Sequence, residues 1–337
     1  MSNLTSVGDL ARAFQLRQVT SEGKANLARL TQELTTGYKS DLGAAINGDF
    51  GPFAGIERAL RATDAYKTSN SEAGTLFTAA QLALENVQGR IQELAPALLT
   101  AASARDATLI EATAGSAKQS LGSVVSNLNT RIADRTLFAG ARIDAPALAH
   151  PDAMMADLTA LTTGLTTAED VETAVNAWFD NPGGGFETIS YLGSTNTMGA
   201  MSVADGDQVA LRVRADDPVI RDTLKGLAMA ALIAEGVLGG NTEEQANLIE
   251  RAAGQVVTSD TAVTSLRAEI GTMEERIENA QARNAAQASA YELARNEMIA
   301  AEPYDTATEL QTVYAQIETL YTITARVSAL RFTDYMR

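Results

Sequence analysis

The fold of this chain is decided by one stretch, IERAAGQVVTSDTAVTSLRAEIGTMEERIENAQARNAAQASAYELARNEM, which runs from Ile249 to Met298. Apolar and small side chains recur in it at alternating steps of three and four residues, which is the spacing of a coiled-coil seam. At 1.5 Å of rise per residue, a helix over this stretch would be ~75 Å long. The stretch therefore predicts a long helix that pairs with another helix along this seam: Ile249, Ala252, Val256, Ser259, Val263, Leu266, Ile270, Met273, Ile277, Ala280, Asn284, Gln287, Tyr291, Ala294 and Met298.

Three polar residues interrupt the seam, and their pattern allows two interpretations. Ser259, Asn284 and Gln287 cost stability at such positions, but a polar seam residue can fix the register of two helices. Alternatively, they mark a weak or solvent-exposed part of the seam.

A second helix follows the first after a break at Glu302–Asp305, because Pro303 cannot continue the hydrogen-bond ladder. Thr306 and Glu309 match a capping box, so we expect the new helix to begin at Thr306. It carries an apolar stripe with the same spacing: Leu310, Val313, Ile317, Leu320, Ile323, Val327 and Leu330.

The N-terminal part of the chain shows similar stripes, and the middle does not. Their positions are Val7, Leu10 and Phe14; Leu76, Ala80, Leu84, Val87, Ile91, Leu94 and Leu98; and Leu121, Val124, Leu128 and Ile132. The middle contains two short helical patterns, around Asp152–Thr162 and Ala168–Phe179, and two strand-like runs, Phe186–Leu192 and Val209–Val213.

These patterns predict a mainly α protein: an elongated antiparallel helical bundle or coiled-coil rod built from both termini, with a small α+β module inserted at its far end. We divide the chain into an N-terminal assembly segment (1–40), the N-terminal half of the rod (41–140), an outward-facing module (141–215), the C-terminal half of the rod (216–302) and a C-terminal assembly helix (303–337).

Composition excludes several classes of protein and site. The net charge of −16 argues against nucleic acid and anionic membrane as partners. The absence of cysteine excludes disulfides, zinc–thiolate sites and thiol catalysis, and the single histidine, His150, excludes sites with several histidine ligands. No set of residues has the pattern that an active site requires. We therefore predict no enzyme, and no catalytic, cofactor-binding or metal-binding residues.

Several segments resemble flagellin-like axial proteins of the bacterial flagellum. Residues 134–140, Asp-Arg-Thr-Leu-Phe-Ala-Gly, are similar to the family motif Gly-Arg-x-Leu-Phe-Ala-Gly, with Leu137, Phe138, Ala139 and Gly140 retained. Leu27–Gly37 and the C-terminal segment from Ala307 to Leu330 also resemble the family. The return segment Arg214–Ala228 is similar to that of the hook–filament junction proteins, the hook-associated protein 3 family.

The resemblance implies a structural subunit that is exported without a cleavable signal peptide and polymerises outside the cell, in the flagellum. It implies as partners other copies of the chain, the first hook-associated protein, flagellin and a flagellar export chaperone. The apolar stripes at both ends are the expected assembly interface: Val7, Leu10, Phe14, Leu310, Val313, Ile317, Leu320, Ile323, Val327 and Leu330. Two alternatives stay open, a flagellin that forms the filament itself and a cytoplasmic coiled-coil scaffold protein.

Overall fold

The computed structural model describes residues 7–335, with side chains at residue 11 and from 14 to 326. Helices account for 75% of the chain, which confirms a mainly α fold with a small α+β part. In chain order, the elements are α1 (Val7–Thr36), α2 (Leu42–Ala45), α3 (Phe50–Ala104), α4 (Ala107–Leu128), β1 (Arg131–Ile132), β2 (Arg135–Thr136), α5 (Pro151–Thr162), α6 (Ala168–Asp180), a π-helical turn (Phe186–Ser190), β3 (Met201–Ala204), β4 (Asp207–Val209), α7 (Pro218–Ala234), α8 (Thr242–Ile299) and α9 (Pro303–Tyr335).

The chain divides into two compact units, and helices α3 and α8 contribute to both. The first unit comprises Met1–Asp64 and Ala286–Arg337, and the second comprises Ala65–Ala285. The division of the chain into five segments stays a prediction.

In the first unit, the break between α8 and α9 lies at residues 300–302, slightly before the predicted break at Glu302–Asp305. Helix α8 ends at Ile299 and α9 begins at Pro303, whose fixed φ suits the first position of a helix. The capping box at Thr306 is wrong, because Thr306 lies inside α9 and is buried there.

In the second unit, α3 and α8 pair in antiparallel orientation along the predicted seam. Thr78 Oγ1 donates to Glu274 Oε1 over 3.0 Å, and Gln88 Nε2 donates to Asp260 Oδ1 over 3.2 Å. The buried seam positions of α3 are Asn70, Ala73, Phe77, Ala80, Leu84, Val87, Ile91, Leu94, Leu98 and Ala101. On α8, the predicted seam is buried or half-buried from Ile249 to Asn284, which confirms the heptad prediction over that range.

Helices α4 and α7 complete the helical core of this unit. Helix α4 follows the N-cap Asp106, whose carboxylate accepts a hydrogen bond from Leu109 N. Helix α7 follows the N-cap Asp217, and Pro218 is its first residue. Gly226 allows α7 to approach α8 closely, because a Cβ there would lie 2.9 Å from Val256 Cγ2.

Residues 141–215 share this core and are only partly as predicted. Both short helices, α5 and α6, are confirmed, but the strand predicted at Phe186–Leu192 is wrong, because Phe186–Ser190 forms a π-helical turn. The ring of Phe186 stacks on the ring of Phe179, with 5.5 Å between the ring centroids. Tertiary packing therefore outweighs the short strand pattern. The second strand ends at Val209, although Leu211 and Val213 remain buried.

Candidate assembly surface and module boundary

Helices α1 and α9 form an antiparallel pair in the first unit. A Cβ on Gly23 would lie 3.1 Å from Ile317 Cγ1, and the Lys24 ammonium lies 6.0 Å from the centroid of the Tyr321 ring. At the other end of the pair, Tyr38 and Ala300 form an isolated antiparallel bridge. Residue numbers therefore rise along α1 in the direction in which they fall along α9, as in an antiparallel pair.

The two helices cover each other along one face only. The inward stripe repeats every three or four residues, as in a coiled coil, and its members are buried or half-buried: Leu16, Thr20, Gly23, Leu27 and Leu30 on α1, and Leu310, Val313, Ile317 and Leu320 on α9. Four residues of the predicted assembly interface thus lie in the half-buried stripe of α9, and Ile317 among them lies against Gly23 of α1.

Other apolar side chains of the same pair face solvent. Phe14 is 70% exposed, Tyr314 59%, Tyr321 51% and Ile323 47%. Exposed apolar side chains are ordinary when they are scattered, but Tyr314 and Tyr321 lie seven residues apart on one face of α9, which indicates a contact surface there, whereas Ile323 continues the stripe of Leu320. Phe14 and Ile323 belong to the predicted interface, whereas Val7, Leu10, Val327 and Leu330 have side chains outside the described residues. We call Phe14, Tyr314, Tyr321 and Ile323 the terminal apolar surface.

Backbone hydrogen bonds fasten the end of α1 to the break between α8 and α9. Lys39 N donates to Ile299 O, and Ala301 N donates to Gly37 O, both over 2.9 Å. The buried carboxylate of Glu33 accepts from Ser40 N over 3.0 Å and from Arg29 Nη1 over the same distance. The sequence analysis missed Glu33, which carries no motif; its role depends on the fold.

The family-like motif at the module boundary forms a closed hydrogen-bonded junction. Leu137, Phe138, Ala139 and Gly140 are all buried. Ala215 N donates to Phe138 O over 2.9 Å and Ser194 N donates to Ala139 O over 2.9 Å. The motif is thereby bonded both to Ser194, inside residues 141–215, and to Ala215, in the return segment Arg214–Ala228.

Gly140 is required by its backbone geometry. Its φ is +63°, and a Cβ would lie 2.4 Å from both Ser194 O and Asn196 O. Ala141 N donates to the same Asn196 O over 2.8 Å. Only glycine combines the left-handed conformation with this approach of two carbonyl groups.

The return segment carries an ion pair that lies against a tyrosine. Arg214 Nε and Nη2 bond to the two carboxylate oxygens of Asp216, over 2.7 and 3.1 Å. Tyr191 donates from its hydroxyl to Ser194 O over 2.8 Å. Burial, with the nearby charge of Asp216, raises the pKa of Tyr191 to about 12. Asp216 in turn raises the pKa of Arg214, chiefly by accepting its hydrogen bonds.

Within residues 7–335, no group of histidine, aspartate and glutamate side chains could hold a metal ion. His150 is the N-cap of α5, where its Nδ1 accepts from Asp152 N over 3.3 Å. Among the described residues, no helix has the length and hydropathy that crossing a membrane requires.

Comparison with known proteins relates the chain to solved structures alone. No protein-family model matches it, and no curated protein matches it. A protein of Vibrio parahaemolyticus assigned as flagellar hook-associated superposes with a TM-score of 0.51 at 12% identity, over 72% of this chain and 94% of that one. FlgL of Bacillus cereus superposes with a TM-score of 0.52 at 13% identity, over 72% of this chain and all (100%) of that one. Over most of its length, the chain therefore has the fold of these two proteins.

Proposed function

We propose that this chain is a structural subunit of the bacterial flagellum that lies at the hook–filament junction and polymerises through its paired terminal helices. The observation that carries the proposal is the α1–α9 pair, in which one face is covered and the terminal apolar surface is left open. The shared fold with a flagellar hook-associated protein and with FlgL supports the flagellar assignment.

The energetics of such a surface favour assembly. Fully burying an apolar side chain of this size stabilises by ~1.5–3 kcal/mol, and the four members of the terminal apolar surface are already about half buried, so they could supply on the order of 4 kcal/mol gross in a polymer. Loss of translational and rotational freedom offsets part of this gain. Several subunits around a ring would each gain it, which makes a polymer stable although an isolated contact is weak.

The proposed role has no reaction step. Its partners are other copies of this chain, the first hook-associated protein on one side, flagellin on the other, and an export chaperone before secretion. The protein leaves the cell without N-terminal cleavage and acts outside it, in motility.

Immunogold labelling of intact flagella tests this location. An antibody against residues 141–215 should label one short zone at the hook end of the filament. Labelling along the whole filament would show a flagellin instead, and labelling confined to the cytoplasm would show an intracellular scaffold. Either result would refute the junction assignment.

The abundance of the protein in sheared flagella gives an independent test. Quantitative mass spectrometry should find it far below the main filament protein, with its N-terminal peptides intact. A strain that lacks the gene should secrete flagellin but fail to retain filaments, and a plasmid copy should restore them. Retained filaments in the deletion strain would contradict the proposal.

A further inference from the structure

Asn70 of helix α3 is buried in a way that its own surroundings do not explain. Its side chain is 0% exposed, and neither Nδ2 nor Oδ1 has a hydrogen-bond partner among the described residues. A buried amide without partners loses its hydrogen bonds to water and gains nothing in return. Native proteins keep few such groups, so the position calls for a physical reason.

The register of the antiparallel pair places Asn70 within one helical turn of a second buried asparagine. Thr78 bonds to Glu274 across the antiparallel pair. Asn70 comes eight residues before Thr78, and Ala282 comes eight residues after Glu274, so Asn70 faces the stretch 280–284 of α8. That stretch ends at Asn284, which is 4% exposed and lies on the seam.

Asn284 bonds to the β3–β4 hairpin and not to Asn70. Its Nδ2 donates to Val203 O over 2.7 Å. The hairpin also carries Asp207, whose carboxylate pairs with Arg276 and, over 3.3 Å, with Arg283 of the same helix. Val203 is fully buried, so this hairpin lies on α8 with an apolar contact, a seam hydrogen bond and two ion pairs.

We propose that Asn284 is a two-position hydrogen-bond switch that couples the β3–β4 hairpin to the helix seam. In the closed state, the one described above, Asn284 holds Val203 O and Asn70 is left without a partner. In the open state, the hairpin lifts from α8, and the amide of Asn284 turns into the seam and pairs with Asn70.

Opposing contributions set the balance between these states. Burial of Val203 and the ion pairs of Asp207 favour the closed state. The unpaired amide of Asn70 favours the open state, because only opening gives it a partner. The hairpin therefore opens more readily than its buried contacts alone would allow. When the hairpin opens, Asn284 keeps a hydrogen bond, because it pairs with Asn70 in place of Val203 O.

Hydrogen exchange of the full-length chain tests the switch. The readout is deuterium uptake by the peptide that covers residues 201–209, compared among the native chain, Asn70→Leu, Asn284→Ala and the double variant. Leucine has the same branched skeleton as asparagine and needs no hydrogen bond, so Asn70→Leu removes the bias toward opening. We expect it to slow exchange of the hairpin by about tenfold, the order of effect that one unsatisfied buried group has on an equilibrium.

The double variant distinguishes the switch from simpler explanations. Without Asn284, Asn70 gains no partner on opening, so Asn70→Leu should leave hairpin exchange unchanged in the Asn284→Ala background. The same slowing in both backgrounds would mean that water satisfies Asn70 on opening, and it would overturn the proposal. Unchanged exchange in Asn70→Leu alone would overturn it too.

A matched control and a second variant keep the test decisive. Ser259 is also a buried polar seam residue, 2% exposed, but its Oγ donates to Gln255 O of its own helix. Ser259→Ala should therefore leave hairpin exchange as in the native chain. If Asn70→Leu fails to give native circular dichroism, Asn70→Ala replaces it, and the same two comparisons apply.

Discussion

Replacing Gly140 with alanine tests the hydrogen-bonded junction at the module boundary. Alanine at a φ of +63° costs about 1 kcal/mol relative to glycine. The new Cβ would also lie 2.4 Å from two backbone carbonyl oxygens, well inside ordinary contact, and carbonyl groups cannot rotate away as a flexible side chain can. Moving Asn196 O would weaken its bond to Ala141 N, which is worth about 1 kcal/mol.

We therefore expect Gly140→Ala to lower the free energy of unfolding by about 3 kcal/mol, with strain as the third contribution. For a unit of this size, that corresponds to a fall in melting temperature of about 6–12 °C. The fluorescence of Trp178, the chain's single tryptophan and a buried residue, follows the transition. Gly199→Ala is the control, because nothing lies within 4 Å of a Cβ there. Equal stabilities of the two variants, within about 0.5 kcal/mol, would refute the reasoning.

Three further predictions concern other sites. Thr136 is fully buried and its Oγ1 has no partner among the described residues. Thr136→Val should therefore raise the free energy of unfolding, measured by urea denaturation, by about 1 kcal/mol. A lower free energy of unfolding would show that Thr136 makes a hydrogen bond. Because folding raises the pKa of Tyr191 from 10.0 to about 12, the folded state holds its proton more tightly, and stability contributed by this group should be complete below pH 10 and disappear as the pH rises to about 12. Tyr191→Phe should abolish that part of the alkaline loss in melting curves, and an unchanged curve would argue against it. Leu320→Asp places a charge between α1 and α9 and should abolish polymerisation in light scattering, whereas Gln316→Asp, at an exposed position of α9, should not. Equal polymerisation of the two variants would show that assembly does not require the α1–α9 pair.

The long helices could be predicted from the sequence because their apolar spacing repeats over many turns. From Ile249 to Asn284 the steps of three and four residues continue through the polar positions Ser259 and Asn284, and burial in the structure follows the same steps. Helix starts also depend on neighbouring residues: Thr167 caps α6 by accepting from Asp170 N, and Asp217 caps α7. These features depend on residues a few positions apart, which a sequence displays directly.

Features that depend on distant parts of the chain could not be predicted. The partner of Asn284 lies 81 residues away, in a hairpin whose position no local pattern gives. The aromatic cluster around Trp178 turns Phe186–Ser190 into a π-helical turn against a strand-like pattern. The motif that ends at Gly140 was recognisable, but the reason for its glycine lies in the carbonyl groups of residues 194 and 196.

The pairing of α3 with α8 has a consequence for synthesis of the chain. Thr78 and its partner Glu274 are separated by 196 residues. At 5–20 residues per second, a ribosome needs roughly 10–40 s to complete that interval. During this time the apolar seam of α3, including Phe77 and Leu84, has emerged without the helix that covers it. A nascent chain of this kind is exposed to aggregation and proteolysis for the whole delay, and any factor that binds the seam of α3 early would control when the second unit folds.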